Sequence, residues 1–112
     1  QCAAAATYSE LGKQQLRHTI EYYMDNVRMM RRILSSLNLR IYGGEHIPYL
    51  WIKIPKKMSS WEFFDSMLYV AKVVCTPGVV FGPGGEGYVR LSAFAKRQDC
   101  ENAARRLKDW LE

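Results

Sequence analysis

The sequence predicts an α+β domain, a two-layer sandwich in which a small, mostly antiparallel sheet has helices packed on one face. Apolar residues recur at helical spacing near both ends of the chain, and short alternating stretches bounded by glycine and proline lie between them. The 112 residues are 48% hydrophobic, which is enough for one core. The predicted order of elements is α-β-β-α-β-β-β-α, and it favours a sheet covered by helices on one side.

The first predicted helix is long. Ser9 is placed to cap its N-terminus, and helical periodicity continues to Asn38. Its opposite face carries Arg28, Arg31 and Arg32, which we interpret as a solvated helix face rather than a nucleic-acid stripe. The predicted buried stripe consists of Ile20, Tyr23, Met24, Val27, Met30, Ile33, Leu34 and Leu37.

A hairpin-like pair of strands is predicted after the first helix, because the apolar period changes to two. Leu39 to Tyr42 reads as a short strand, followed by a turn at Gly43 and Gly44. Tyr49 to Ile54 reads as a second strand, which Pro55 ends.

The second predicted helix begins with a capping box, since Ser59 precedes Glu62 by three residues. It should end near Lys72. Helical spacing assigns its apolar stripe to Trp61, Phe64, Leu68 and Ala71.

The remaining elements follow from turn residues and periodicity. Val73 to Cys75 is predicted to be a short buried strand, and Thr76-Pro77-Gly78 and Pro83-Gly84-Gly85 are predicted to be turns. A final helix is predicted from about Gln98 to Leu111. Its inner face is assigned to Ala103, Ala104, Leu107, Trp110 and Leu111.

The strand Gly87 to Phe94 contains a single arginine, Arg90, in otherwise apolar surroundings after a glycine-rich turn. Strand alternation places Arg90 on the face away from the core. A guanidinium presents paired N–H groups that match both oxygens of a carboxylate. The residues alone favour carboxylate binding and an ion pair with Glu86 about equally. The core-facing residues are Val89, Leu91 and Ala93, and the outward-facing ones are Tyr88, Arg90, Ser92 and Phe94.

Other kinds of site receive less support. The net charge of +5 comes from scattered basic residues, and the three cysteines form no CxxC pair, so no metal site is predicted. The glycine-rich turn precedes a strand rather than a helix, which makes phosphate binding a distant second to a hairpin. The RNA-recognition strand pattern is matched only by Gly87 and Tyr88, so RNA binding is a minor alternative.

Three segments of the chain together resemble a known family. They are YGGEHIPYLWIKIP (Tyr42 to Pro55), SSWEFFDSML (Ser59 to Leu68) and VVCTPGVVFGPGGEGYVRLSAF (Val73 to Phe94). The chain resembles the C-terminal small domain of fold-type I, pyridoxal-phosphate-dependent aminotransferases, and within them the LL-diaminopimelate aminotransferase group. The resemblance implies that Arg90 binds the substrate α-carboxylate. It also implies that the site's rim or closing segments include Thr76, Pro77, Gly78, Gly85, Gly87 and Ser92.

The resemblance also has implications for the whole protein. It implies that residues 1–8 are the tail of a preceding large domain and that residues 9–112 are the small domain of a longer enzyme. The large domain would hold pyridoxal 5'-phosphate and supply the Schiff-base lysine, so no catalytic residue is expected in this chain, which should be inactive alone. Expected partners are amino acid and 2-oxo acid substrates, the large domain and a second subunit, with no nucleic acid or membrane. The expected location is the cytoplasm or an organelle matrix. The alternative is a non-catalytic α+β module that binds a small anion, RNA or a partner protein.

Overall fold

A computed structural model describes residues 9–55 and 57–112. The predicted tail, residues 1–8, lies outside the described residues. The described chain has three α-helices and four strands, in the order α-β-β-α-β-β-α. They are α1 (Glu10–Leu34), β1 (Ile41–Gly43), β2 (Tyr49–Lys53), α2 (Ser60–Ser66), β3 (Thr76–Pro77), β4 (Tyr88–Ser92) and α3 (Arg97–Leu111).

The strands form one antiparallel sheet in the order β1-β2-β4-β3. Its core face is closed by the paired residues Leu50 with Leu91 and Ile52 with Val89, each exposed by 2% or less. These residues belong to one apolar cluster with buried residues of all three helices. The predicted α+β sandwich is therefore confirmed, and Val89 and Leu91 face the helices as expected.

Helix α1 begins as predicted and ends earlier. The Ser9 hydroxyl accepts a hydrogen bond from the Gly12 N–H at 3.0 Å. The helix ends at Leu34 rather than Asn38, and the hydroxyl of Ser35 then donates to the Arg32 carbonyl at 2.6 Å. Such side-chain bonds compete with the helical ladder. The stripe prediction was wrong for Ile20, which is half-exposed. Its fully or nearly buried members are Met24, Val27, Met30 and Leu34.

The interpretation of Arg28, Arg31 and Arg32 as a solvated helix face is wrong for Arg31. Its guanidinium donates to the carbonyls of Gly43, at 2.7 Å, and Ile41, at 3.1 Å, and so joins α1 to the edge strand β1. Arg28 and Arg32 are exposed, as expected.

The capping box that begins α2 is confirmed, with Ser59 and Glu62 bonding each other's backbone. The predicted stripe was wrong for Trp61, while Phe64 packs against the core and Ala71 is buried, as predicted. Phe63 and Met67 are fully buried, whereas Trp61 is half-exposed. The helix widens into a π-helical turn over Met67–Ala71 and ends at Lys72, which has a left-handed φ of 59°. Buried positions thus recur every four residues, and Ala71 is the buried member that the predicted stripe included.

The predicted strand Val73 to Cys75 and the predicted turn at Thr76-Pro77-Gly78 were both wrong. The strand lies at Thr76–Pro77, where Thr76 pairs with Arg90 and Pro77 pairs with Val89. Proline is tolerated there because β3 is an edge strand and needs no further N–H donor. Two 3₁₀ turns, Gly78–Phe81 and Pro83–Gly85, replace the additional predicted strand.

Candidate functional site

One row of side chains crosses the face of the sheet opposite the core. Thr76 on β3 pairs with Arg90 on β4, Arg90 pairs with Trp51 on β2, and Trp51 pairs with Tyr42 on β1. Directly paired residues of a sheet point to the same face. Arg90 therefore lies on the outer face, as strand alternation predicted, and strand pairing places it between Trp51 and Thr76.

Two aromatic rings lie against the guanidinium of Arg90. Its Cζ atom is 4.2 Å from the ring centroid of Tyr49 and 4.5 Å from that of Phe81. The Phe81 ring also contacts Trp51, with ring centroids 5.4 Å apart. These cation–π contacts hold the cation in place and remove water from part of its surface. Hydrogen bonding by the guanidinium then depends on its in-plane N–H groups.

Arg90 has a buried donor without an acceptor. Its Nε is inaccessible to solvent and has no hydrogen-bond partner among the described residues. Leaving such a donor unpaired costs about 1–3 kcal/mol, and more for a charged group. The arrangement suits an anionic ligand that supplies the missing acceptor.

Glu86, the suggested ion-pair partner, is occupied elsewhere. Its carboxylate accepts a hydrogen bond from the backbone N–H of Ser60 at 2.8 Å, at the start of α2. No ion pair within residues 9–55 and 57–112 includes Arg90. The ion-pair hypothesis is therefore wrong for this partner, and the carboxylate hypothesis gains support.

The loop that carries Phe81 is attached at both ends. The backbones of Gly78 and Gly85 touch, and a Cβ atom on either glycine would overlap the other residue's carbonyl oxygen. The Ser60 hydroxyl donates to the Tyr88 carbonyl at 3.1 Å and accepts from the Gly87 N–H at 3.2 Å. The glycines therefore allow a close backbone crossing that fixes Phe81 over Arg90.

An aromatic cavity of about 530 Å³ adjoins this arrangement. Phe81 belongs both to its wall and to the rings that lie against Arg90, and Trp51 in the same wall contacts the Phe81 ring. Its lining consists of Tyr42, Trp51, Phe81, Gly84, Gly85 and Tyr88.

The residues predicted to line the rim have different surroundings. Thr76 is directly beside Arg90, and Ser92 is exposed at the end of the same strand face. Pro77 pairs with buried Val89, so it lies on the core face of the sheet. Gly85 lines the aromatic cavity, whereas Gly78 is buried at the backbone crossing and Gly87, with a φ of 89°, leads into β4.

The model of the family "Aminotransferase class I and II" matches residues 1–107. The chain belongs to this family. The match favours the aminotransferase interpretation over a free-standing module for a small anion, RNA or a partner protein.

Among curated aminotransferases, the LL-diaminopimelate aminotransferase of Bacteroides fragilis strain ATCC 25285 is 58% identical over 111 residues, and that of Phocaeicola vulgatus is 54% identical. Each alignment covers 99% of this chain, which spans about 27% of the length of these relatives. The solved LL-diaminopimelate aminotransferase of Chlamydomonas reinhardtii superposes with a TM-score of 0.90 at 32% identity, covering 95% of this chain and 26% of that one. An aromatic aminotransferase from Pyrococcus horikoshii gives a TM-score of 0.86 at 26% identity, covering 96% and 29%.

Sequence reasoning missed the rings that surround Arg90 in this aminotransferase chain. Tyr49 and Trp51 alternate with buried Leu50 and Ile52, so the pattern did indicate that both face outward. Tyr49 and Trp51 lie beside Arg90 because β2 pairs with β4. The sequence pattern does not indicate which strands pair. Phe81 belongs to a loop and carried no signal.

Neither described cysteine has the character of a nucleophile. Burial raises the pKa of the Cys75 thiol from 9.0 to about 12 and is also the main cause of the raised pKa of Cys100. The described residues contain no group of three His, Cys, Asp or Glu side chains that could hold a metal ion. In the same part of the chain, every helix is too short or too polar to cross a membrane.

The raised pKa of Cys75 leads to an expected pH dependence of stability. The unfolded thiol ionises near pH 9 while the folded thiol keeps its proton, so the free energy of unfolding should decrease as pH rises from 9 toward 12. Urea unfolding of the chain at pH 8 and at pH 10.5 measures this loss. In the Cys75→Val variant the loss should be smaller, because the variant lacks this thiol. Equal losses in both proteins would contradict the assignment.

Proposed function

We propose that this chain is the small domain of a pyridoxal-phosphate-dependent aminotransferase of the LL-diaminopimelate type, and that Arg90 binds the α-carboxylate of its amino acid and 2-oxo acid substrates. Residues 9–112 would form that domain, and residues 1–8 would be the end of the large domain. The observation that carries the proposal is the partly desolvated guanidinium, with one buried donor unpaired and rings on it.

A carboxylate fits this site for two reasons. It supplies the negative charge that Arg90 lacks among the described residues, and its two oxygens match the paired N–H groups of a guanidinium. Such charge-assisted bonds are stronger where water is excluded, and the Tyr49 and Phe81 rings exclude it from part of the cation. The relatives are named for LL-diaminopimelate, a compound that carries a carboxylate beside each amino group.

The cofactor implied by the family would be held mainly outside this chain. The Arg90 site offers one cation and several rings, and no described lysine lines its cavity or contacts the guanidinium. These groups fit a substrate carboxylate better than a cofactor attached through a lysine. When bound to the large domain, pyridoxal 5'-phosphate would supply the electron sink for the reaction.

The contribution of this chain would be to bind and orient the substrate. Arg90 would fix the α-carboxylate and thereby the direction of the neighbouring Cα–H bond, without acting as an acid or a base. Thr76, Gly85 and Ser92 would lie at the rim, and Phe81 would shield the ion pair from water. The full-length enzyme would work as a homodimer, with catalysis depending on the large domain.

Arg90→Lys in the full-length protein tests this function. A lysine keeps the charge and loses the bidentate geometry, so kcat/KM for the amino donor should fall roughly tenfold to a hundredfold, equivalent to about 1–3 kcal/mol. Steady-state kinetics with LL-diaminopimelate and a 2-oxo acid measure the effect.

Arg32→Lys is the matched control, because Arg32 is exposed on α1 and its side chain makes no ion pair or hydrogen bond in the described structure. It should leave kcat/KM unchanged. If Arg90→Lys behaves like this control, Arg90 does not bind the substrate.

A further inference from the structure

We infer that Asn26 is a positioning residue for Arg90. Its buried amide holds the turn after β4, and this turn places Phe94 against Tyr49, the ring on which the guanidinium lies. The inference rests on the proposed function of Arg90. It adds a residue on α1, on the core side of the sheet, to the substrate-binding arrangement on the outer face.

Asn26 is a fully buried polar residue in the middle of α1. Its Nδ2 donates to the carbonyl of Ala95 at 2.8 Å and to that of Ala93 at 3.3 Å. Its Oδ1 accepts from the Arg97 Nε at 3.4 Å. Both amide hydrogens and the amide oxygen are thus used, as a buried amide requires.

The two carbonyls belong to a tight turn that also bonds to itself. The Ala95 N–H donates to the Ala93 carbonyl at 2.9 Å, and the Phe94 N–H donates to the Ser92 hydroxyl at 3.2 Å. Phe94 is itself half-exposed, so burial in the core does not determine where its ring lies. The backbone of the turn and the ring contacts with Tyr23 and Tyr49 do, and Asn26 holds that backbone from both sides of Phe94.

A series of ring contacts connects Phe94 to Arg90. The Phe94 ring is 4.9 Å from the Tyr23 ring on α1 and 5.3 Å from the Tyr49 ring on β2, in edge contacts. Tyr49 pairs directly with Ser92, whose small side chain leaves room for the ring between Phe94 and Arg90. The Tyr49 ring then contacts the guanidinium at 4.2 Å. A displaced Phe94 would therefore allow Tyr49 and Arg90 to move.

The test uses Asn26→Asp in the full-length holoenzyme. Aspartate has the same shape and keeps an oxygen toward Arg97, but it cannot donate to the two carbonyls. The ligand is heptanedioate, the carbon skeleton of diaminopimelate without its amino groups, and calorimetry measures its Kd. We expect Kd and the KM of the amino donor to rise about tenfold with kcat changed much less, because small misplacements of binding groups have effects of this size.

Three further variants separate positioning from general stability. Val27→Ala removes buried volume from the neighbouring residue of α1 without removing a hydrogen bond, and it should leave Kd unchanged. Phe94→Ala alters a half-exposed residue, so we expect this variant to fold, and it should raise Kd about as much as Asn26→Asp. In the Arg90→Lys background, Asn26→Asp should have much less effect on Kd, since both changes act on the same ion pair.

The results also distinguish this inference from the proposed function. Loss of heptanedioate affinity on Asn26→Asp that persists in full in the Arg90→Lys background would overturn the positioning role alone. So would unchanged affinity in Asn26→Asp or, if that variant does not fold, in Phe94→Ala. Absence of any effect of Arg90→Lys on heptanedioate binding would overturn both proposals.

Discussion

Gly78→Ala is expected to destabilise the folded chain by about 3 kcal/mol, the upper part of the usual range for adding a methyl group to packed structure. A Cβ atom at this position would overlap the Gly85 carbonyl oxygen and lie 2.7 Å from the Tyr88 carbonyl oxygen. Both obstacles are backbone atoms, which cannot rotate away as a side chain does. Urea unfolding of the 112-residue chain measures the change in the free energy of unfolding.

Gly84→Ala provides the matched control for Gly78→Ala. Gly84 lies in the same loop, has no left-handed φ, and has no atom within 4 Å of a Cβ placed on it. Its substitution should change the free energy of unfolding by less than about 0.5 kcal/mol. Equal stabilities of the two variants would show that the crossing of Gly78 and Gly85 is not closely packed in solution.

The close contact of Gly78 with Gly85 also determines where Phe81 lies in the candidate site. It fixes the loop that places Phe81 at 4.5 Å from the Arg90 guanidinium. A shift large enough to admit a Cβ atom at Gly78 would therefore move Phe81. Gly85 of the predicted hairpin turn and Gly78 of the predicted Thr76-Pro77-Gly78 turn thus help to build the candidate carboxylate site.

The sequence predicted those features of the site that depend on one strand alone. The alternation of Val89, Arg90 and Leu91 recorded which side chains face the core, and the structure confirms it. An edge strand as short as Thr76–Pro77 contains no periodicity, so its position was assigned to a turn. It became a strand because β4 offered a free edge for it to pair with, a condition set by residues more than ten positions away.

Sequence patterns do not indicate which distant segments of the chain contact one another. Asn26 read as one polar residue among others on a long helix, and its partners are about 70 residues away in the chain. A polar residue between the buried positions Met24 and Val27 was the available signal that its side chain faces inward. Helical periodicity marks such a residue as buried but cannot name the carbonyls that it bonds.

The error in the predicted apolar stripe of α2 has a different cause. The apolar residues of this helix fit either of two adjacent helix faces. Trp61, Phe64 and Leu68 recur at helical spacing, and so do Phe63 and Met67. The capping box fixed where the helix begins, but it did not determine which face packs on the sheet. Glu86 and Ser60 settle this, since their hydrogen bond attaches the first turn of α2 to the loop before β4.

A pair of substitutions on the two faces of α2 should have effects of very different size. Phe63 is fully buried and its ring lies 5.1 Å from that of Trp110 on α3, so Phe63→Ala should destabilise the chain by about 3–5 kcal/mol. Trp61 is 52% exposed, and Trp61→Ala should have a much smaller effect despite removing the larger side chain. Urea unfolding of both variants compares them directly.

A larger loss of stability in Trp61→Ala than in Phe63→Ala would restore the stripe that helical spacing first suggested. It would also mean that α2 is rotated about its own axis relative to the sheet. The Ser60 hydroxyl would then no longer lie between the Gly87 N–H and the Tyr88 carbonyl, and β4 would lose its attachment just before Arg90. The stability of these two variants therefore tests how α2 packs. It also tests whether Ser60 attaches β4 to α2 just before Arg90.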